Sequence, residues 1–193
     1  AKLHLIGHSF GAAVVSETTE RLGTLGITVD HLTYLDPHDF DQSFLPVDGD
    51  QRQWTLGSPE GYGATVWNNV LFADTYFQTR GSSGAFDIGV PQGRPIPYSV
   101  NILLDDELPI DGFFSDPYDG GDNDHRYVAD AFYLATVLGE LPESEPEPGR
   151  VVDYSSIGFN WSFDQPRYNN RPAPNFYTSP EDSEAFHKNT VEG

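Results

Sequence analysis

The sequence predicts an α/β chain: a partial sheet of strands with flanking helices, followed by an irregular C-terminal tail. Three observations carry this. A short apolar strand at residues 3–6 runs into Gly7-His8-Ser9-Phe10-Gly11 and straight out into an amphipathic helix. Three further strand patterns and a second helix follow within the first 138 residues, which suits a sheet with flanking helices. Hydrophobic residues make up 37% and aromatic residues 13% of the 193, enough to build a core despite a formal net charge of −20.

Each element has its own signal. Leu3-His4-Leu5-Ile6 reads as a buried strand. From residue 10 to 22 the period becomes helical, with Ala12, Val15, Thr19 and Leu22 on one face and Glu17, Glu20 and Arg21 among the others. Gly23 and Gly26 are the expected stops. Residues 29–35 form a second strand that ends at Asp36-Pro37, because proline biases Asp36 to an extended conformation and cannot continue a central strand. Residues 38–65 read as loop. A third strand fits residues 66–77, strongest at Val70-Leu71-Phe72-Ala73, and a Gly/Ser turn follows at 81–84. A fourth strand fits residues 100–104. An acidic, Gly-rich loop then spans 105–124, and a helix spans 126–138 with Val128, Ala131, Phe132, Ala135 and Leu138 on one face. Residues 140–149 are a Pro/Glu linker, stiff and solvated. Residues 150–193 read as a tail or the start of a further module, with short strands at Val151-Val152-Asp153-Tyr154 and Phe159-Asn160-Trp161-Ser162-Phe163. No internal repeat is visible.

Composition removes several classes of function. Thirty acidic against ten basic residues repel a phosphate backbone, which argues against nucleic-acid binding. No apolar run approaches the roughly 20 residues that span a bilayer. The absence of cysteine removes disulfides, thiol catalysis and thiolate metal sites. Lysine occurs only at Lys2 and Lys188, a skew shared by salt-adapted proteins and by ordinary secreted acidic ones.

The chemistry-bearing motif is Gly7-His8-Ser9-Phe10-Gly11, a match to G-x-S-x-G. A serine nucleophile needs a sharp strand-to-helix turn to hold its Oγ clear of the backbone. Small residues two positions either side let strand and helix approach. The helix start then favours developing negative charge, and the Phe10 N–H is the expected oxyanion donor. The serine needs a base and the base an orienting carboxylate, in the chain order Ser, acid, His of the α/β-hydrolase fold. Of six histidines, His4 lies in the first strand, His8 in the turn, His31 and His38 beside the second strand and His187 in the tail. His125, in a loop opening a helix, is the expected base. Asp36 is the expected acid because Pro37 ends its strand. Asp74, flanked by Ala73, Thr75, Tyr76 and Phe77, is the alternative.

Leu3-His4-Leu5-Ile6-Gly7-His8-Ser9-Phe10-Gly11-Ala12, a helix, and then Leu32-Thr33-Tyr34-Leu35-Asp36-Pro37 resemble the pancreatic-type triacylglycerol lipase family. That family carries V-x-x-I-G-H-S-L-G-A, a helix and a strand ending in L-D-P. The resemblance implies Ser9 as nucleophile and Asp36 as acid. Asp124-His125-Arg126-Tyr127, followed by Phe132-Tyr133, is similar in kind to the family's histidine loop. The strong part covers residues 3–37 and a weaker part extends to about 138. Three departures stand out. The family's disulfides are impossible here. The stretch from Glu107 to Asp124 is short and acidic where those lipases carry a lid. No counterpart of their calcium cluster is visible: Asp119, Asp122 and Asp124 lack the spacing of a calcium loop and read as solvated.

The expected function is therefore a serine carboxylic-ester hydrolase, lipase- or esterase-like, acting on an ester or lipid substrate without cofactor or metal. An extracellular or cell-surface location is expected from the acidity and the resemblance. The same triad also suits an amide, thioester or polyester, and a secreted surface or adhesion protein retaining the fold without the chemistry is the alternative of a different class. The chain opens directly on the nucleophile strand and lacks methionine. Residues 1–139 are accordingly expected to be the C-terminal half of a catalytic domain. The second oxyanion donor is then expected upstream, and the isolated segment should turn over weakly.

Overall fold

Side-by-side pairing of four short strands gives the molecule its frame. The computed structural model describes residues 2–38, 64–80, 92–105, 122–140 and 157–167. Strands β1 (His4–His8), β2 (His31–Leu35), β3 (Ala73–Phe77) and β4 (Val100–Leu103) form one parallel sheet in the order β1-β2-β3-β4. The register sets Gly7 beside Tyr34, Thr33 beside Asp74 and Tyr76 beside Ile102. β2 and β3 are buried along their whole length, as befits inner strands of a parallel sheet covered on both faces.

Alternation of side chains along each strand divides the core in two. Helix α1 (Gly11–Thr24) packs Ala12, Val15 and Leu22 against one face, on Leu32, Tyr34, Ala73 and Val70. The opposite face, with Leu35 and Tyr76, is covered by α2 (Asp122–Tyr127), a π-helical segment (Val128–Tyr133), α3 (Leu134–Leu138) and α4 (Gly158–Asp164). α1 ends as its last carbonyls are met by Gly26 N–H on Gly23 and Ile27 N–H on Leu22, a Schellman closure. None of the helices among the described residues is long and apolar enough to cross a membrane.

Several elements differ from the sequence reading. The third strand begins at Ala73 rather than Val66. Up to that point the chain is still tied to α1 and the loop after it: Trp67 Nε1 bonds Ser16 Oγ at 3.3 Å, and Asn69 Nδ2 bonds the Thr19 and Ile27 carbonyls at 2.9 and 3.0 Å. Only an isolated bridge links Val70 to Val29. The helix expected from residue 126 starts at Asp122, so His125 sits in a helical turn and not in the loop before it. The π-helical segment widens the turn, which shifts the faces downstream. Val128, Ala131, Phe132 and Ala135 are buried as expected, but Leu138 is 55% exposed. Glu20, placed by period on the polar face, is fully buried.

The tail differs most. Phe159-Asn160-Trp161-Ser162-Phe163, read as a strand, is helical in α4. Its apolar residues Phe159 and Phe163 stand four apart, on one helix face, and the alternating pattern concealed that. α4 joins the core: Gly158 N–H donates to the Tyr76 hydroxyl at 2.9 Å, and Phe159 N–H to Thr136 Oγ1 at 2.9 Å. Residues 157–167 are therefore part of the sheet's covering layer and not an irregular tail. The expected loop beyond residue 38, the turn at 81–84, most of the acidic loop, the linker from 141 and the strand at 151–154 lie outside the described residues.

Candidate active site

In a parallel sheet every strand points the same way, so residues that follow the strands collect along one edge. Ser9 follows β1, Asp36 follows β2 and Gln78 follows β3. This edge brings Asp36 and His125 together and also carries the Ser9 turn.

Ser9 occupies the turn between β1 and α1 with φ of 56°. That left-handed conformation is uncommon for a residue with a side chain and costs on the order of 1–3 kcal/mol. The turn is held from three sides: Ser9 N–H donates to the Leu35 carbonyl at 3.0 Å, and the Ser9 carbonyl accepts from Ala12 N–H at 3.0 Å and His38 N–H at 3.3 Å. Gly7 is required by close approach. A Cβ there would collide with the Gly11 carbonyl and lie 2.6 Å from Val15 Cγ2, so β1 and α1 could not draw together. At Gly11, in contrast, an added Cβ meets nothing among the described residues. Phe10 is the N-cap of α1 and half exposed.

Asp36 also has a left-handed backbone, φ 42°, in place of the extended conformation expected before Pro37, and is fully buried. Its N–H donates to the Tyr76 carbonyl at 2.7 Å, which ties it to β3. His125 Nδ1 lies 2.6 Å from Asp36 Oδ2 in a buried pair, across 89 residues of sequence. With Nδ1–H donated to the carboxylate, the neutral ring carries its lone pair on Nε2, the arrangement of a general base. Asp74, the alternative acid, is not in this group. It lies inside β3, where Thr33 Oγ1 donates to Oδ1 at 2.6 Å, His31 Nε2 lies 2.9 Å from the same oxygen, and the Tyr76 hydroxyl donates to Oδ2 at 2.9 Å.

Five residues to which the sequence reading gave no catalytic role belong to the site. Gln78 donates its backbone N–H to Asp36 Oδ1 and its side-chain Nε2–H to Oδ2, both at 2.8 Å. Gly93 lies so close to this carboxylate that any Cβ would overlap Asp36 Oδ1. His8, set aside because it precedes the serine, donates Nε2–H to the His125 carbonyl at 2.9 Å, and the two rings lie 4.6 Å apart. Burial holds the His8 pKa below the ordinary histidine value, and the bond to the His125 carbonyl opposes that fall. Asp124, read as a solvated loop residue, is buried and paired with Arg80, whose Nε lies 3.2 Å from Asp124 Oδ2. Burial raises the Asp124 pKa, and Arg80 opposes that rise. His8 and Asp124 had a sequence signal, their adjacency to Ser9 and to His125. Gln78, Arg80 and Gly93 are found through contacts that no local pattern encodes.

His38 lies on the same edge, its ring 6.1 Å from that of His125 and its Nδ1 3.1 Å from the Gln92 carbonyl. Among the described residues no group of three or more His, Cys, Asp or Glu side chains is arranged to hold a metal ion. Asp119 and His187 lie outside the described residues, as does the acidic stretch between 106 and 121. No protein-family model, curated protein or solved structure matches the chain.

Proposed function

We propose that the chain is the catalytic portion of a serine carboxylic-ester hydrolase, lipase-like and of α/β-hydrolase architecture, acting at an extracellular or cell-surface site on an ester or lipid substrate. The observation that carries this is the 2.6 Å buried contact between His125 Nδ1 and Asp36 Oδ2, on the strand edge that holds the strained Ser9 turn. Strain at a non-glycine residue is retained where the fold over-determines it, and two of the three described non-glycine residues with positive φ are Ser9 and Asp36.

In the mechanism, Ser9 Oγ attacks the ester carbonyl while His125 Nε2 takes its proton. The charge that develops on the carbonyl oxygen is met by the Phe10 N–H at the positive end of α1. His125 then delivers the proton to the leaving alcohol, and an acyl group remains on Ser9. Water, deprotonated by the same Nε2, releases the acid. Asp36 keeps the imidazole in the Nδ1–H tautomer and stabilises the imidazolium at each transfer.

Fluorophosphonate labelling of the full-length protein with peptide mapping tests the proposal. Label is expected on Ser9, and Ser9→Ala should abolish both label and ester turnover, a loss of about 10³-fold or more. Correctly folded protein that takes no label, or an unaffected Ser9→Ala variant, overturns the reading.

A further inference from the structure

The two members of the buried pair come from segments with no covalent reason to agree in position. One strand end lies between them. We infer that residues 78–80 form a positioning clamp, in which Gln78 sets the Asp36 carboxylate and Arg80 sets the turn that carries His125. The catalytic consequence rests on the hydrolase reading, while the clamp itself rests on geometry.

Gln78 is fully buried and reaches both oxygens of one carboxylate. A carboxylate held by single bonds can swing about its Cβ–Cγ axis. Donors on both oxygens fix its plane, and the remaining lone pair on Oδ2 is then aimed at His125 Nδ1. The Gln78 amide has its own orientation fixed, because Oε1 accepts the Arg80 N–H at 2.8 Å while Nε2 faces Asp36. Gly93 closes the remaining side: its N–H donates to the Gln78 carbonyl at 2.9 Å and its missing Cβ leaves room for Asp36 Oδ1.

The same segment grips the other partner. Arg80 Nε pairs with Asp124, the residue immediately before His125, and Asp124 is 4% exposed. Between the two grips, Thr79 anchors the segment to the end of β4, its N–H 2.7 Å from Asp105 Oδ1 and its Oγ1 2.5 Å from Asp105 Oδ2. All three consecutive residues are thus pinned, and the outer two each fix one half of the pair. A displacement of about 1 Å at a reacting group can cost about 10²-fold in rate, which is why such a bracket matters.

The experiment reads the His125 Nδ1–H directly, by proton NMR of the full-length protein with ¹⁵N-labelled histidine. The expected signal is a far-downfield, slowly exchanging proton that Asp36→Asn removes. Gln78→Met, which keeps the volume and the backbone donor, should move that signal upfield and speed its exchange. It should also lower kcat by about 10–100-fold with KM unchanged. Arg80→Ala, at a side chain 34% exposed, should fold normally, shift the signal in the same direction and lower kcat by about tenfold, and Arg80→Lys should restore part of both. A folded Arg80→Ala variant with an unmoved signal overturns the clamp, as does the same result for Gln78→Met. Should Gln78→Met fail to fold, the Arg80 pair decides. A moved signal in a protein without ester turnover leaves the clamp standing and removes the hydrolase reading. Turnover with an unmoved signal does the reverse.

Discussion

The described residues include two buried histidine–aspartate pairs, His125–Asp36 and His31–Asp74, with contact distances of 2.6 and 2.9 Å. By chemistry they are nearly twins. By position they are opposites. Asp36 stands just past the end of β2, on the edge with the Ser9 turn, and its histidine comes from a separate helix. Asp74 stands mid-strand in β3 beside Thr33, and its histidine comes from the neighbouring strand. The second pair is covered as well: His4 stacks on His31 at 3.8 Å, and Phe163 of α4 meets both rings edge-on at 5.8 Å. A His–Asp pair is thus a structural device under a helix and a candidate base where the strands end. Residue type does not distinguish the two.

The largest expected separation between the pairs comes from replacing each acid. Under the proposed mechanism, Asp36→Asn should reduce turnover by about 10⁴-fold through the wrong imidazole tautomer, with the fold retained. Asp74→Asn should leave kcat within the range of the unaltered protein. If Asp74→Asn carried the larger kinetic loss, the roles of the two pairs would be exchanged. Stability is where Asp74 should register. Removing one partner of a buried pair by Asp74→Ala should cost about 3–5 kcal/mol in urea unfolding, since it removes the acceptor that His31, Thr33 and Tyr76 share. A cost below that of an ordinary surface substitution breaks the comparison.

The smallest expected effect is a pH dependence. The His4 pKa is lowered to about 4, first by burial and then by His31 beside it, with Arg167 adding to the fall and Asp74 opposing it. The unfolded chain, whose histidine titrates near its ordinary value of about 6.5, binds more protons than the folded one between those two values. Stability should therefore fall as pH drops from about 6.5 to about 4. His4 keeps a solvent-facing side, so a discounted contribution of about 1–2 kcal/mol is expected. Urea midpoints for the unaltered protein and for His4→Phe, compared at either end of that window, measure it. A variant with the same pH slope as the unaltered protein would show that His4 is not its source.

Much of the frame was legible. Strand, G-x-S-x-G turn and helix followed from local pattern, because Gly7 and the apolar face of α1 report interactions within a few residues. The strand end before Asp36 was legible too, since Pro37 marks it locally, although Asp36 itself is left-handed and not extended. Where local pattern and tertiary contact competed, the reading went astray. The alternating aromatics of 159–163 concealed a helix, the π-helical segment moved Leu138 off the buried face, and Asp124 left the solvent for an ion pair with Arg80.

By itself the sequence determined which residue types were present, where the sharp turn after the first strand falls, and that the charge balance disfavours nucleic acid. Those depend on short-range sterics and on composition. Only the tertiary structure decided which of two aspartates faces His125, that Gln78 and Arg80 bracket the pair, and that residues 157–167 seal the second pair beneath α4. Such choices depend on which strand ends lie side by side. The parallel register of β1, β2 and β3 sets that, through hydrogen bonds between segments far apart in the chain.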